Sequence, residues 1–401
     1  MKRLICTAAL IGSLVTSFGC ETYVQNIEPP IDTIDDAALN SETQVPFLIN
    51  GIRETFSYTY GNLTMLAGGL SDELEFNRLV PGATFPQYEE IDLGRIQINN
   101  NSVEDLMLAL GQLRLYADTL VARTGVIAFS SQQTKKTALY AGYFYGGMAR
   151  FFWASYFGLE PLRGGGVINK SPFIPSHEMY ELALERFQLA LDNAPSDYDT
   201  RVVNSMIARI LLIEGRYAEA ETASQAGLLQ SDPAFTALYS VEDPNPWFYG
   251  AGMGRTQFVA ANRFGVYVQT DPGEAVRVPL LDILGQDGTT HFLRQNKYPE
   301  QETPIPLTSW QEMELLRAET AVRNNRMQDA LSSVNIVRSS YGLGPRNSCD
   351  LDTVMTERDI ELFGTGMRLI DQRRTDHWHL QADTWHFLPI TQRERTSNPY
   401  L

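Results

Sequence analysis

The sequence has 401 residues, an ordinary apolar fraction of 43% and a formal charge of −16. So acidic a chain is a poor match for nucleic-acid backbones, whose binding depends on Lys and Arg displacing counterions. Three cysteines are too few for a disulfide framework, which excludes the small stapled secreted folds.

At the N-terminus, Lys2 and Arg3 precede an apolar run of 15 residues from Leu4 to Phe18. That is shorter than the ~20 residues a membrane-crossing helix needs, and Ser17 and Gly19 close it with small side chains, which is the layout of a cleaved export leader over residues 1–19. Its loss takes away Cys6 and leaves Cys20 and Cys349, with a net charge of −18 once Lys2 and Arg3 are gone. The segment "SFGC" resembles the lipobox of bacterial lipoproteins, with Ser17 in the usual leucine position. On that resemblance Cys20 becomes the lipid-bearing N-terminus, and at ~0.8 kcal/mol per buried CH₂ two or three acyl chains make the anchor effectively permanent. Residues 20–45, with "EPPIDTIDD", have paired prolines, acids and little apolar periodicity, and are expected to form a tether. No later apolar run reaches membrane length.

From residue 46 helical spacing dominates. Leu106, Leu110, Leu113 and Leu120 fall on one face of a helix over Val103–Ala122, with Ser102 as its expected N-cap. Thr134–Gly158 is apolar almost all round and predicts a helix buried between neighbours. Repetition follows: Tyr180, Ala183, Phe187, Ala190 and Pro195 match the second helix of a tetratricopeptide repeat, then Ala208, Leu211, Gly215, Tyr217 and Ala220, then Ala318, Met327, Ala330 and Val334. Alanine at each crossing lets helices approach closely while larger residues fill the grooves. The fold class is therefore mainly all-α, with helical repeats near 132–195, 199–230 and 308–341. Residues 231–307 interrupt the rhythm with Pro, Gly and short β-like runs, an insertion of the kind on which binding surfaces lie.

Near the C-terminus, Arg358 and Glu361 are i,i+3 neighbours, as are Arg368 and Asp371, so an ion-pair lock against the repeats is expected in preference to an acid/base pair. His377, His379 and His386 fit no common zinc spacing and "GGGVINKS" lacks the second glycine of a phosphate loop, so no metal or cofactor is expected. The acids Asp72, Glu73, Glu75, Glu89, Glu90 and Asp92 could in principle serve glycoside hydrolysis, but acids in polar turns are expected to be solvated, and no nucleophile elbow or cofactor fingerprint accompanies them.

Five segments resemble the SusD/RagB family of nutrient-binding outer-membrane lipoproteins: "LINGIRETFSY" with "GGLSDELEF"; "ALYAGYFYGGMARFFWASYFGLEPL"; "ELLRAETAVRNNRMQDALSSVNIVRSSYGL"; "ERDIELFGTGMRLIDQRR", matching at Arg358, Glu361, Leu362, Gly366, Arg368, Asp371 and Arg374; and "FLPITQRERTSNPYL". Thr365 stands where the family usually has glutamate, Thr391 replaces a proline, and the sequence reaches Leu401 without the family's usual Asn-Pro-Gly-Tyr tail. The resemblance implies a SusD-like fold over 46–401, ligand loops in the 231–307 insertion, no catalysis, and a lipid-anchored position on the outer membrane, facing the cell exterior. It also implies capture of a glycan or other oligomeric nutrient and its delivery to a TonB-dependent, SusC-like transporter. The alternative is a lipid-anchored tetratricopeptide-type scaffold for protein–protein interaction. Trp247, Phe248 and Tyr249 sit together in a Pro-rich loop with no helical core face to occupy, and are the leading candidates to stack on sugar rings, as the family does. The competing expectation is that they pack the insertion onto the repeats. Tyr88, Tyr267, Trp310 and Asn77 are lesser candidates.

Overall fold

A computed structural model describes residues 36–401. The expected leader, the Cys20 anchor and the first part of the tether lie outside these residues. The end of the tether is docked: Arg123 donates to the Asn40 side chain at 2.6 Å and pairs with Asp36. Glu42 accepts from the backbone N–H groups of Ser130 and Ser131 at 2.8 and 3.0 Å.

Helix α1 (Val45–Leu70) follows, with Pro46 in its first turn, where a missing N–H costs nothing. At 26 residues it is about 39 Å long. Ile49, Ile52, Phe56, Tyr60, Leu63, Leu66 and Leu70 form its buried stripe. Ser71 is extended and ends it, and the chain turns into strand β1 (Leu74–Phe76) and the short helix α2 (Pro86–Asp92). Helix α3 (Asn101–Arg123) covers the periodic leucines, but its cap is Asn100, whose side chain accepts from the Val103 N–H at 3.2 Å, not Ser102. Helix α4 (Gln132–Tyr156), capped by Ser131, is buried without interruption from Phe144 to Tyr156, as its all-round apolarity predicts.

Strands β2 (Phe157–Glu160), β3 (Arg163–Gly166) and β4 (Ile174–Pro175) form a small sheet, joined on the β2 side by β10 (Leu388–Pro389) in parallel. Helix α5 (Ser176–Asp192) packs back on α4, and α6 (Asp197–Ile213) pairs with α7 (Tyr217–Gln225). The last pair is α10 (Trp310–Arg323) with α11 (Met327–Ser340). The crossing alanines Ala183, Ala190, Ala208, Ala220, Ala318 and Ala330 are all fully buried. The turns of the second and third pairs each need a left-handed residue, supplied by Gly215 (φ 72°) and by Asn325 (φ 57°) at the equivalent place. Met327 departs from the repeat pattern and is largely exposed.

Between α7 and α10 the insertion is more ordered than its composition suggests. It contains β5 (Phe235–Ala237), α8 (Pro246–Gly250), β6 (Phe258–Ala260), α9 (Asn262–Thr270), the hairpin β7 (Leu280–Leu284) and β8 (His291–Gln295), and β9 (Ile305–Thr308). Strand β1 joins its sheet in the order β1-β6-β8-β7, which stitches the insertion to the end of α1. It also lies directly against α1. A Cβ at Gly61 would fall 2.6 Å from the Tyr239 hydroxyl and 2.7 Å from Pro246 Cδ, and one at Gly69 would enter the Phe258 ring.

Helices α12 (Leu351–Glu361), α13 (Met367–Arg374) and α14 (Gln392–Ser397) close the chain. The expected ion-pair lock is present, with different partners. Arg358 pairs with Asp371 at 2.9 Å and not with Glu361. Arg374 pairs with Asp371 and with Glu319 of α10, both at 2.7 Å. Arg368 reaches across to Asp72 at 2.7 Å, and Glu361 instead accepts from the Tyr341 hydroxyl at 2.8 Å. Gly366, left-handed at φ 76°, opens α13. Among the described residues no helix is long and apolar enough to cross a membrane.

Candidate functional site

The main concavity is a groove of about 1340 Å³ along the outward face of α1. Its walls are α4, the turn into α6, the Phe85–Tyr88 segment and the insertion from Phe235 to Gln257. It exceeds the ~300–1,000 Å³ of a typical small-molecule pocket, which suits an extended ligand.

Its lining includes the exposed rings Tyr58 (52% exposed), Phe85 (39%) and Tyr249 (44%), with half-buried Tyr88. Each is held by its neighbours. Tyr88 stacks on Phe258 with centroids 4.9 Å apart and meets Phe85 edge-on at 5.8 Å. The Arg255 guanidinium lies 4.4 Å from the Phe85 ring centroid and donates to the Thr84 hydroxyl at 2.7 Å. The Gln257 side-chain oxygen accepts from the N–H groups of Thr84 and Phe85 at 3.0 and 3.1 Å, which fixes the loop that carries Phe85. Burial pushes the Tyr88 phenol up to about 12, so it is a neutral hydrogen-bonding group at any physiological pH. Across the groove, the Tyr239 hydroxyl donates to the Ser57 carbonyl at 3.0 Å, tying the insertion to α1.

The charged lining comprises four carboxylates, Glu54, Asp199, Glu242 and Asp243, and two guanidiniums, Arg53 and Arg255. The carboxyl groups whose pKa is pushed far up lie elsewhere. Glu73 is raised to about 8, chiefly by burial, and Asp92 to about 7, by burial reinforced by Glu75 and Glu89. Glu73 is fully buried, in contrast to the solvated acid expected of its polar turn, and its Oε1 accepts from the Gly364 N–H at 2.9 Å.

Of the residues singled out in the sequence, the groove gathers Tyr249 and Tyr88. Trp247 is not a surface ring. At 0% exposure it packs among Tyr298 and Phe363 and donates its indole N–H to the Thr64 hydroxyl at 2.9 Å, while Asn245 caps α8 by accepting from the backbone N–H of Trp247, the second helical residue. Phe248 is half-buried edge-on against Tyr249 and outside the groove lining. Tyr267 donates to Asp359 at 3.1 Å, Asn77 accepts from the Leu79 N–H in a turn, and Trp310 is buried at the start of α10; none lines the groove. Tyr58, Phe85, Arg53, Tyr140 and Asp199 were not singled out. The one signal for Tyr58 is its place off the apolar stripe of α1.

Among the described residues no three His, Cys, Asp or Glu side chains gather as metal ligands. His379 contacts the Gln372 amide at 3.3 Å, and His386 stacks on Trp378 with centroids 4.0 Å apart. Cys349 is a free, buried thiol, and burial raises its pKa to about 11.

The architecture has relatives among solved structures. A laminarin-binding SusD-like protein aligns over 90% of this chain and 100% of its own, with a TM-score of 0.73 and 14% identity. The fold is SusD-like. A SusD superfamily protein from Bacteroides vulgatus aligns with a TM-score of 0.71 at 15% identity, covering 90% of this chain and 98% of that one. The surface glycan-binding protein A of Bacteroides uniformis gives 0.66 at 15%, again over 90% and 98%. No family model and no curated protein matches the sequence.

Proposed function

We propose that the groove along α1 binds an oligomeric, largely uncharged glycan and that the chain is a binder without catalysis of its own. The observation that carries this reading is the set of exposed rings, Tyr58, Phe85 and Tyr249 with Tyr88, in the lining of a groove whose other residues offer hydrogen bonds. Aromatic faces stack on the apolar faces of sugar rings, at about 1 kcal/mol per ring, so the platform sets affinity in the millimolar to micromolar range. Four carboxylates against two guanidiniums favour neutral sugars over acidic ones. The SusD-like neighbours, one of them laminarin-binding, support the same ligand class.

In this reading Cys20 anchors the chain to the outer membrane, facing the exterior, and the bound glycan passes to a TonB-dependent, SusC-like transporter. Affinity electrophoresis through gels containing laminarin, starch, mannan or xylan tests the binding. One of the four should retard the protein, and Tyr249→Ala should lower affinity about fivefold or more with an unchanged melting temperature. Passage of the wild type through all four gels without retardation would remove the basis for the reading. Native purification of the full-length chain from outer membranes tests delivery. A large β-barrel partner at near-equal amount supports it, whereas soluble partners alone would favour the scaffold alternative.

A further inference from the structure

The groove follows α1 from Ile49 to Met65, sixteen residues of helical rise or about 24 Å. Phe85, Tyr88 and Tyr249 belong to its Met65 end, where Gly250 rests on Met65 and Phe258, stacked on Tyr88, rests on Gly69. The other end is lined by Arg53 of α1, Tyr140 and Tyr145 of α4, and Asp199 of α6. Tyr140 is only 8% exposed, and its hydroxyl has no hydrogen-bond partner among the described residues although it is shut off from bulk water. A buried donor left unmade is costly, so native chains seldom keep one without a use for it. Burial raises the Tyr140 pKa well above its ordinary value, and the Asp199 carboxylate adds to it both as a charge and as a nearby acceptor with which the hydroxyl makes no well-formed bond. Asp199 already accepts from the Ser196 hydroxyl at 2.5 Å through one oxygen, and the Arg53 guanidinium faces the Tyr145 phenol.

Resting on the glycan reading of this groove, we infer that the Arg53–Tyr140–Asp199 end is a second subsite, which fixes one neutral sugar residue by its hydroxyls. A sugar hydroxyl is both donor and acceptor, so it accepts from the Tyr140 O–H and donates to the Asp199 carboxylate in one chain of hydrogen bonds. The pair selects against a carboxylate or sulfate, which Asp199 repels. Arg53 supplies a further donor to an adjacent hydroxyl. The rings at the far end hold the chain by its faces with little regard to identity, and this end reads which hydroxyls are present.

The test is calorimetry with the hexasaccharide of whichever of laminarin, starch, mannan or xylan retards the wild type. Tyr140→Phe should weaken hexasaccharide binding about five- to tenfold. It should not lower the melting temperature of the free protein, because no well-formed internal hydrogen bond is removed. Asp199→Asn should weaken binding in the same direction. If Tyr140→Phe binds within twofold of wild type while Tyr249→Ala loses affinity, the second subsite is wrong and the glycan reading stands. A fall in melting temperature for Tyr140→Phe would show that its hydroxyl is bonded within the protein and would overturn the inference as well. Absence of retardation by all four polysaccharides would overturn the glycan reading and the subsite with it.

Discussion

Glu73 offers the most quantitative check on this structure. Its carboxyl is fully buried, with Oε1 on the Gly364 N–H and Oε2 without a partner. Burial dominates its environment. Asp359 pushes in the same direction, against the Gly364 bond and the Arg263 and Lys297 charges, and the pKa comes to about 8 from an ordinary 4.5. The folded state therefore holds a proton that the unfolded state gives up between pH 4.5 and 8, so stability falls as pH rises through that window. The slope is about 1.4 kcal/mol per pH unit and the whole loss about 5 kcal/mol, large beside the ~5–15 kcal/mol of a typical domain. Glu73→Gln keeps the oxygen that faces Gly364 and removes the titration. Urea denaturation of both proteins at pH 5, 6, 7, 8 and 9 isolates the effect, since every other titrating group is shared. The variant should gain on the wild type with each step to pH 8 and no further above it. A wild-type-minus-variant difference that stays flat from pH 5 to 9 would refute the reasoning.

Two more changes probe the core and the lock. Trp247→Ala should cost about 3–5 kcal/mol of unfolding free energy, because it empties a sealed site and removes the indole bond to the Thr64 hydroxyl; a loss under about 1 kcal/mol would place the ring at the surface after all. Asp371→Asn should cost about 3–5 kcal/mol near neutral pH by leaving Arg358 and Arg374 undercompensated. Burial pushes Asp371 up, but the two guanidiniums outweigh it and hold the carboxyl at about 2. This contribution is complete above the ordinary 3.8 and fades as pH falls toward 2, so wild type and variant should converge in acid denaturation curves.

The helical repeats were legible because a crossing leaves a periodic trace: Ala183 and Ala190 seven apart on α5, and Gly215 and Asn325 at matching turns. The burial of α4 and the existence of a charge lock were legible for similar reasons, since both show in residue type and spacing. The partners in the lock were not. Arg368 reaches Asp72, 296 positions away, and no i,i+3 rule anticipates such a contact. Trp247 was misplaced because its direction is decided by a cap at Asn245 and a hydroxyl on α1, 183 positions distant. Glu73 looked like a solvated turn acid, and only the packing of the late helices seals it. Tyr58 escaped notice because it stands among Asn50, Arg53, Glu54 and Asn62 of α1, which read as solvent-facing residues.

The glycines of α1 bear on how the groove works as well as on how it folds. A glycine inside a helix costs about 1 kcal/mol relative to alanine, and at Gly61 the cost is accepted so that Tyr239 and Pro246, both wall residues, can rest on bare helix backbone. Walls seated that closely do not part without unpacking the insertion from its support. The cleft is thus a fixed mould, whose shape does not have to be made anew by each arriving chain. On the proposed glycan reading release needs no gate either, since a modest affinity for a preformed surface lets the bound chain leave readily.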